Sequence, residues 1–389
     1  MQNTLKCFLI FSVIMTTTEL FSSGMLLDSI KSNNAHRDGI LLEEFVYTKA
    51  DFPQSHSATI LELEDGELLC AFFGGTHERH PDVEIKLSRK KPGGNWTAPL
   101  SIADGIQSAG DRLPTWNPVL FRNRKGEVML FYKIGPSPSE WWGMVKTSSD
   151  GGHTWSAAKK LDDKIIGPVK NKPIQLEDGA IVSGSSTEND GWRVHIERSN
   201  DCGKSWNFIG PLNDPEVIGV IQPTLLTHSK GRIQMLCRTR TENEHIAQSW
   251  SKDGGLTWSK INVLDLPNNN SGIDAVTLKD GRQLLVYNHS TRTQPDMGHK
   301  GRGVLNVAIS EDGKVWEAAL VLDYLDEPDK QFSYPAVIQT ADGLVHIVYT
   351  WHRERIKHVV IDPEKLVTYP IVKDKWPTDK IPLITSNEK

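Results

Sequence analysis

The stretch SKDGGLTWS, residues 251–259, is written in nearly the same way four times along the chain. Close copies are TSSDGGHTWS from Thr147, RSNDCGKSWN from Arg198 and ISEDGKVWE from Ile309. The Asp side chain can accept backbone N–H bonds across a turn, glycine permits a tight path, and the Trp folds back between sheets. A phrase repeated in this way indicates a repeat architecture of small β-units.

A second phrase, Asp-Gly or Lys-Gly followed by alternating apolar residues, recurs six times at spacings of 50 to 62 residues. The glycine suits the positive φ of a hairpin turn, and strand-like segments flank every copy. Six units with four strand signals each predict an all-β fold, a six-bladed β-propeller. The six glycines are Gly66, Gly126, Gly179, Gly231, Gly281 and Gly343.

Composition is that of a packed globular protein rather than a disordered one. The 389 residues are 38% hydrophobic and 24% charged, with a net charge of −5 and a pI of about 6.2. A nucleic-acid partner is not expected, because such proteins usually present a basic face. Twelve Trp residues indicate repeated structural anchors, sugar-stacking platforms, or both.

The N-terminus has the pattern of a secretory signal peptide, which we place at residues 1–24. Lys6 precedes a nine-residue apolar run over residues 7–15, which is too short to span a membrane. A buried N-terminal strand is the alternative. We expect a secreted or periplasmic protein with no membrane span, a catalytic propeller over residues 43–368, and a C-terminal tail, 369–389, that wraps the last blade. The sequence leaves the oligomeric state open.

With these repeats on six blades, the chain resembles the sialidase superfamily, in which the Asp-Gly-Trp phrase is called an Asp box. The segments FPQSH (52–56), QPTLL (222–226) and SYPA (333–336) resemble the branch described as predicted neuraminidases. The resemblance covers roughly residues 50–360. It implies a sialidase-like propeller fold more strongly than it implies a reaction.

The resemblance also implies roles for individual residues. Arg238 and Arg302 match two of the three arginines that bind the substrate carboxylate in that family. Tyr334 matches the nucleophile, and Asp82 is the best match to the acid/base. Two positions depart from the pattern. At the first of them, His56 replaces the first arginine.

At the second position, Gln222 replaces the Glu that activates the tyrosine in that family. The side-chain amide of Gln222 cannot remove a proton.

The innermost strands of a propeller converge on its axis, so equivalent positions on them form a ring. A polar ring on otherwise apolar strands predicts a wet pocket with a polar ligand, because buried polar groups are costly without partners. Trp192 and the pair Trp141 and Trp142 could add a stacking wall. As a two-residue correction in the third and fifth blades, we take the residue two positions closer to the hairpin glycine. The ring then comprises His56, Asn117, Lys172, Gln222, Asp274 and Tyr334.

Three functions are compatible with these residues. Arginine forks suit a carboxylate, so the first is an enzyme on acidic oligosaccharides that performs β-elimination at a non-reducing-end uronic acid. As a dehydratase or lyase it would form a C4=C5 unsaturated uronate. One of His56 and Tyr334 would act as the base and the other as the acid, and the sequence leaves open which is which.

The second function is an exo-sialidase-type hydrolase that uses Tyr334 and Asp82, and the third is a non-catalytic propeller that binds acidic glycans. His56 and Gln222 favour elimination over hydrolysis. We expect no cofactor and no metal, since His77 and His80 beside Asp82 form only a weak metal-ligand pattern.

Overall fold

The computed structural model describes residues 37–108, 110–240, 244–292, 294 and 297–385. The predicted signal peptide therefore lies outside the described residues. The described chain forms six antiparallel sheets, which confirms the predicted six-bladed β-propeller. No helix in this part of the chain is long and apolar enough to cross a membrane.

Each blade is a meander that runs from an inner to an outer strand. The first strand among the described residues is β1 (Ile40–Phe45). The first three blades comprise β2 (Gln54–Glu62), β3 (Leu68–Gly75), β4 (Glu84–Lys90) and β5 (Leu100–Ala103); β6 (Thr115–Arg122), β7 (Val128–Ile134), β8 (Trp142–Ser148) and β9 (Lys159–Lys160); and β10 (Ile174–Gln175), β11 (Ile181–Thr187), β12 (Arg193–Ser199) and β13 (Asn207–Ile209).

The next three blades follow the same order from the inside outwards. They comprise β14 (Val220–His228), β15 (Arg232–Thr239), β16 (His245–Ser251) and β17 (Asn262–Pro267); β18 (Asp274–Thr277), β19 (Gln283–Tyr287), β20 (Val304–Ser310) and β21 (Glu317–Tyr324); and β22 (Phe332–Gln339), β23 (Val345–Trp351) and β24 (Arg355–Ile361). Two short 3-10 turns, Ser229–Gly231 and His299–Gly301, and a last strand, β25 (Tyr369–Pro370), complete the described elements.

The ring is closed by the N-terminal strand. β1 pairs with β24 and supplies the outer strand of the sixth blade, so that blade combines strands from distant parts of the chain. This pairing covers an edge that would otherwise be free.

The tail does not wrap the last blade as expected. β25 pairs instead with β21 of the fifth blade. Trp376 and Ile381 of the tail pack there against Val304 and Val321, which explains the preference for that blade.

The hydrophobic core lies between neighbouring blades. One cluster joins Leu284 and Val286 of the fifth blade to Phe332 and Tyr349 of the sixth, all with 0% exposure. Because both faces of each blade are covered, the strands read as nearly continuous apolar runs rather than strict alternations. This packing leaves only the central channel and the loops for polar function.

The four Asp boxes form the self-closing turns that their sequence predicts. In the third box, Asp253 accepts the backbone N–H groups of Leu256 (3.1 Å) and Thr257 (2.9 Å) and the Thr257 hydroxyl. Ser251 Oγ accepts the N–H of Gly255 at 2.9 Å. These hydrogen bonds, led by that from the Thr257 hydroxyl, lower the pKa of Asp253 to about 2.

Replacing Asp253 by Ala should lower the free energy of unfolding by about 1–3 kcal/mol, because four donors, the Ser251 hydroxyl included, lose a charged acceptor at once. Urea unfolding of the purified protein measures this difference. Asp379→Ala serves as control, since the Asp379 side chain is 75% exposed and its ion pair with Lys380 is long, 3.5 Å. Equal losses in the two variants would contradict a structural role for the box.

The strand order assigns the two ends of the propeller different roles. Hairpin glycines and Asp boxes lie at one end, because they join first to second and third to fourth strands. The loops between second and third strands, and the connections between blades, lie at the other. We call this second end the loop face.

Candidate active site on the loop face

A bulge interrupts four inner strands near the loop face. The pairing register shifts after His56 in β2, after Trp116 in β6, after Ile221 in β14 and after Ser333 in β22. Each bulge holds one non-glycine residue in the left-handed region, and Lys170 adopts the same conformation before β10. Such strain persists where the surroundings impose it, and it is concentrated at functional sites. The φ values are 56° at Ser57, 40° at Asn117, 74° at Lys170, 56° at Gln222 and 54° at Tyr334.

The structure places Lys170 and Gly272 in the ring, where the two-residue correction had placed Lys172 and Asp274. Both lie nine residues before a hairpin glycine, like Gln222 and Tyr334. A Cβ atom on Gly272 would lie 3.2 Å from Gln222 Oε1 and 3.3 Å from both Lys170 Cε and Tyr334 Cδ2. In the third and fifth blades, Lys170 and Gly272 lie just before the short inner strands β10 and β18, and the nine-residue spacing is kept without a bulge in the strand.

Lys172 and Asp274 form an ion pair that links blades. Lys172 Nζ lies 2.9 Å from Asp274 Oδ2, and the Asp274 side chain is only 1% exposed. The Thr224 hydroxyl (2.7 Å) and the backbone N–H of Val337 (2.9 Å) also donate to this carboxylate. Asp274 therefore joins the third, fourth, fifth and sixth blades.

Four of the residues singled out in the sequence meet around one phenol. Arg238 Nη1 donates to Tyr334 Oη at 2.8 Å and to Gln222 Oε1 at 3.0 Å, and Gln222 Nε2 donates to Tyr334 Oη at 3.1 Å. The rings of His56 and Tyr334 are 4.1 Å apart. Because the phenol oxygen accepts two hydrogen bonds, its own proton is free to be donated.

His56 is a buried, neutral imidazole. It is 2% exposed, and its Nδ1 lies 2.8 Å from the hydroxyl of Thr350. Its Nε2 has no hydrogen-bond partner among the described residues, so this nitrogen is open to a ligand. Burial, followed by the positive charges of Arg353, Arg302 and two further cations, lowers the pKa of His56 well below its usual value.

Arg238 and Arg302 lie side by side, joined by Asn270. Arg238 Nη2 donates to Asn270 Oδ1 at 2.6 Å, and Arg302 Nη2 donates to the Asn270 carbonyl at 3.2 Å. Burial and the neighbouring Arg238 charge lower the pKa of Arg302 to about 10. Within the described parts of the chain, neither guanidinium forms an ion pair with a carboxylate. The site therefore holds uncompensated positive charge.

Trp192 belongs to the same cluster. The Arg238 guanidinium stands over its ring, 5.0 Å from the centroid, in the geometry of a cation–π contact. On the loop that leads to Trp192, burial raises the pKa of Glu188, against the effect of Arg238 and of a hydrogen bond from Trp192. A carboxyl group with a raised pKa beside a charged site is a candidate proton donor.

Two further cations were not found by sequence reasoning. Arg353, on the loop between β23 and β24, pairs with Glu78 at 2.7 Å. Its Nε is buried and has no partner among the residues that the structure describes, as is also true of Arg302 Nε. Lys170 is 1% exposed and donates to the carbonyl groups of Ile273 (2.7 Å) and Pro335. Lys170 thus crosses the channel and forms its floor. The position of Arg353 on a loop at the loop face was the one feature that could have marked it as a candidate site residue.

The remaining predicted residues lie at the edge of this cluster or outside it. Asn117 occupies the ring and is 5% exposed. Asp82 lies on the loop between β3 and β4, where Thr76 donates to it twice and His80 Nδ1 lies 2.8 Å away. Although burial opposes the change, the Thr76 hydrogen bonds lower the pKa of Asp82.

His77 and His80 pack against each other with ring centroids 5.2 Å apart. In the part of the chain that the structure describes, no group of three or more His, Cys, Asp or Glu residues could hold a metal ion.

Fold and site together define a class, a six-bladed β-propeller with a cluster of cationic side chains at the loop face of its central channel. The chain belongs to the BNR repeat-like domain family, whose model matches residues 66–347. This agrees with the resemblance to the sialidase superfamily seen in the sequence.

Solved structures share the fold at low sequence identity. A protein of unknown function from Dyadobacter fermentans is 17% identical with a TM-score of 0.65, over 84% of this chain and 99% of that one. The NanB sialidase of Streptococcus pneumoniae is 13% identical with a TM-score of 0.64, over 85% and 71%.

The intramolecular trans-sialidase of Ruminococcus gnavus is 14% identical with a TM-score of 0.66, over 86% of this chain and 100% of that one. No curated protein matches the sequence. Identities this low establish the shared fold and leave the reaction to be argued from the site.

Proposed function

We propose that this protein is an exported carbohydrate-active enzyme that performs β-elimination at a non-reducing-end uronic acid of an acidic oligosaccharide. The observation that carries the proposal is the pair of guanidinium groups, Arg238 and Arg302, that face His56 and Tyr334 without a carboxylate partner. The catalytic unit is the propeller over residues 43–368, and residues 1–24 direct export.

The uncompensated charge argues for an anionic ligand. Burying a cation without a counter-ion is costly, and the cost is removed when a ligand supplies the anion. A planar carboxylate accepts paired N–H bonds from an arginine fork. The positive charges of Arg302 and Arg353 also act on His56, which supports a carboxylated sugar as substrate.

The reaction follows from placing that carboxylate among the arginines. Its neutralisation stabilises the enolate-like transition state formed when the C5 proton leaves. His56 and Tyr334 form the acid/base pair, one taking the C5 proton and the other protonating the oxygen that leaves C4. The electrons of the C5–H bond form the C4=C5 double bond as the C4–O bond breaks.

A sialidase-type hydrolase is the second candidate. It is favoured by Glu188, whose raised pKa suits a general acid next to Arg238 better than the lowered pKa of Asp82 does. The sialidase and the trans-sialidase described above also have a propeller of similar fold. Against it, Gln222 donates to Tyr334 and has no basic group to activate a nucleophile.

Product analysis separates the candidates. Incubation with uronate-ended oligosaccharides should generate the ultraviolet absorbance of a conjugated C4=C5 uronate. A free acidic sugar released without that absorbance would establish hydrolysis instead. Tight glycan binding with neither product would leave a binding protein.

The pH dependence should reflect a neutral imidazole. Because the pKa of His56 is lowered, the ring stays unprotonated as pH falls below 6.5, the usual histidine pKa. We therefore expect kcat/KM to persist through pH 6.5 and to decline only in more acidic buffer. A loss of wild-type activity centred on pH 6.5 would contradict this assignment.

A further inference from the structure

A second cavity opens at the loop face between the first and second blades. It has a volume of about 720 Å³. Its walls come from β5 and the segment after it in the first blade, and from β7, β8 and β9 of the second blade. None of the residues of the central cluster lines it, so it is a separate site.

The cavity combines an aromatic wall with hydroxyl and ammonium groups. Trp142 lines it at the start of β8, and the Lys160 ammonium lies 5.7 Å from the centre of the Trp142 ring. Lys146 Nζ donates one hydrogen bond, to the carbonyl of Ile102 at 2.7 Å. An ammonium carries three N–H donors, so two remain for a ligand.

Tyr132 adds a hydroxyl group to the cavity. The residue is 1% exposed and lines the cavity, and its hydroxyl has no hydrogen-bond partner among the described residues. This hydroxyl is not among the enclosed, unpartnered polar atoms, so a ligand in the cavity can reach it. Burial, assisted by the nearby Asp104 charge, raises the pKa of Tyr132 to about 12, so the hydroxyl keeps its proton and can donate.

The charge of the cavity selects the class of ligand. Lys146 and Lys160 outnumber Asp104, and across the described residues none of the three forms an ion pair. Sugars stack their apolar faces on Trp rings and hydrogen-bond through hydroxyl groups at their edges, and an excess of ammonium groups favours an anionic residue. Neighbouring Trp141 points away from this cavity and packs on Trp116 at 5.9 Å.

We propose that the cavity around Trp142, Tyr132 and Lys146 is a second carbohydrate site, which holds an anionic sugar residue of a glycan chain apart from the central pocket. Its anion is a carboxylate or a sulfate ester. The site holds a polymer at the loop face while chain ends enter the central pocket. It does not depend on which reaction the central pocket performs.

Affinity electrophoresis tests the proposal with the full-length protein. Gels would contain polygalacturonate, alginate, a sulfated galactan or neutral dextran. We expect at least one anionic polymer to retard the wild type and dextran to leave it unretarded. Retardation by uronates alone would assign a carboxylate, and retardation by the galactan alone would assign a sulfate. Retardation by none, or equally by dextran, would overturn the proposal.

Variants locate the site. Trp142→Ala and Tyr132→Phe should each weaken retardation, the former about tenfold in apparent dissociation constant. Because Trp142 also packs on the core between the blades, Tyr132→Phe and Lys146→Gln provide tests that preserve the packing. Trp250→Ala is the matched control, since Arg232 lies over that ring at 5.4 Å on another blade, and it should bind like wild type.

The central pocket is tested separately. Arg238→Met should lose turnover of short oligosaccharides and keep polymer retardation, whereas Lys146→Gln should keep turnover of short substrates. If Arg238→Met abolished retardation and the cavity variants did not, the second site would be refuted. Retardation lost in the cavity variants of a protein inactive on every uronate would uphold this site and refute only the proposed reaction.

Discussion

Replacing Tyr334 by Phe is expected to lower kcat by a factor on the order of 10²–10⁴, the usual contribution of a positioned acid or base. The variant loses only the oxygen that accepts hydrogen bonds from Arg238 and Gln222. The ring of Tyr334 lies 4.1 Å from that of His56, so the phenol is the partner that the acid/base pair loses. Initial rates with uronate-ended oligosaccharides, followed by ultraviolet absorbance, measure the loss.

Tyr287→Phe is the control for this loss. The Tyr287 hydroxyl contacts His289 Nδ1 at 2.6 Å in the fifth blade and is fully buried. That variant should lose stability and keep its kcat. Full activity of Tyr334→Phe, or equal losses of activity in the two variants, would contradict the role given to Tyr334.

Replacing Asp274 by Ala is expected to destabilise the propeller by about 3–5 kcal/mol, the usual cost of breaking a buried ion pair from one side. The change leaves Lys172 without its counter-ion, and the Thr224 hydroxyl and the Val337 N–H without their acceptor. Since this carboxylate joins four blades, the cost falls on the closed ring. Denaturant unfolding followed by Trp fluorescence measures it.

Glu64→Ala is the control for an exposed ion pair. Glu64 pairs with Arg122 at 2.9 Å, but its side chain is 88% exposed, so we expect a loss of about 0–1 kcal/mol. A similarly small loss in Asp274→Ala would show that the pair is not needed for closure. It would reopen Asp274 as a ligand-binding residue.

The fold could be predicted from the sequence because its signals are local and repeated. The phrase around Asp253 is a complete turn, closed by its own Asp and Ser side chains, so it forms wherever it is written. The hairpin glycines add the period. The position of the tail depended on the packing of Trp376 and Ile381 against distant strands, which no local pattern contains.

The site could be predicted only in part. His56, Gln222, Arg238 and Tyr334 come together because each has a fixed distance from a hairpin glycine. Lys170 was missed because its place in the ring depends on the left-handed conformation that it adopts before β10, and a residue pattern does not reveal φ.

Arg353 and Asn270 were missed for a different reason. They lie on loops whose paths are set by neighbouring blades, and sequence spacing gives no measure of such contacts. Asn270 was hidden in a run of three asparagines, although its side chain and carbonyl hold both arginines.

Calorimetric titration of the Tyr334→Phe variant tests the central claim most directly, since that variant binds without turning over its ligand. The ligands are a uronate-ended oligosaccharide and its methyl ester, in which a methyl group removes the charge of the carboxylate. We predict that the free acid binds at least about tenfold more tightly, a difference of about 1.4 kcal/mol, and that Arg238→Met removes this preference. Equal affinity for the acid and the ester would contradict a carboxylate held by Arg238 and Arg302.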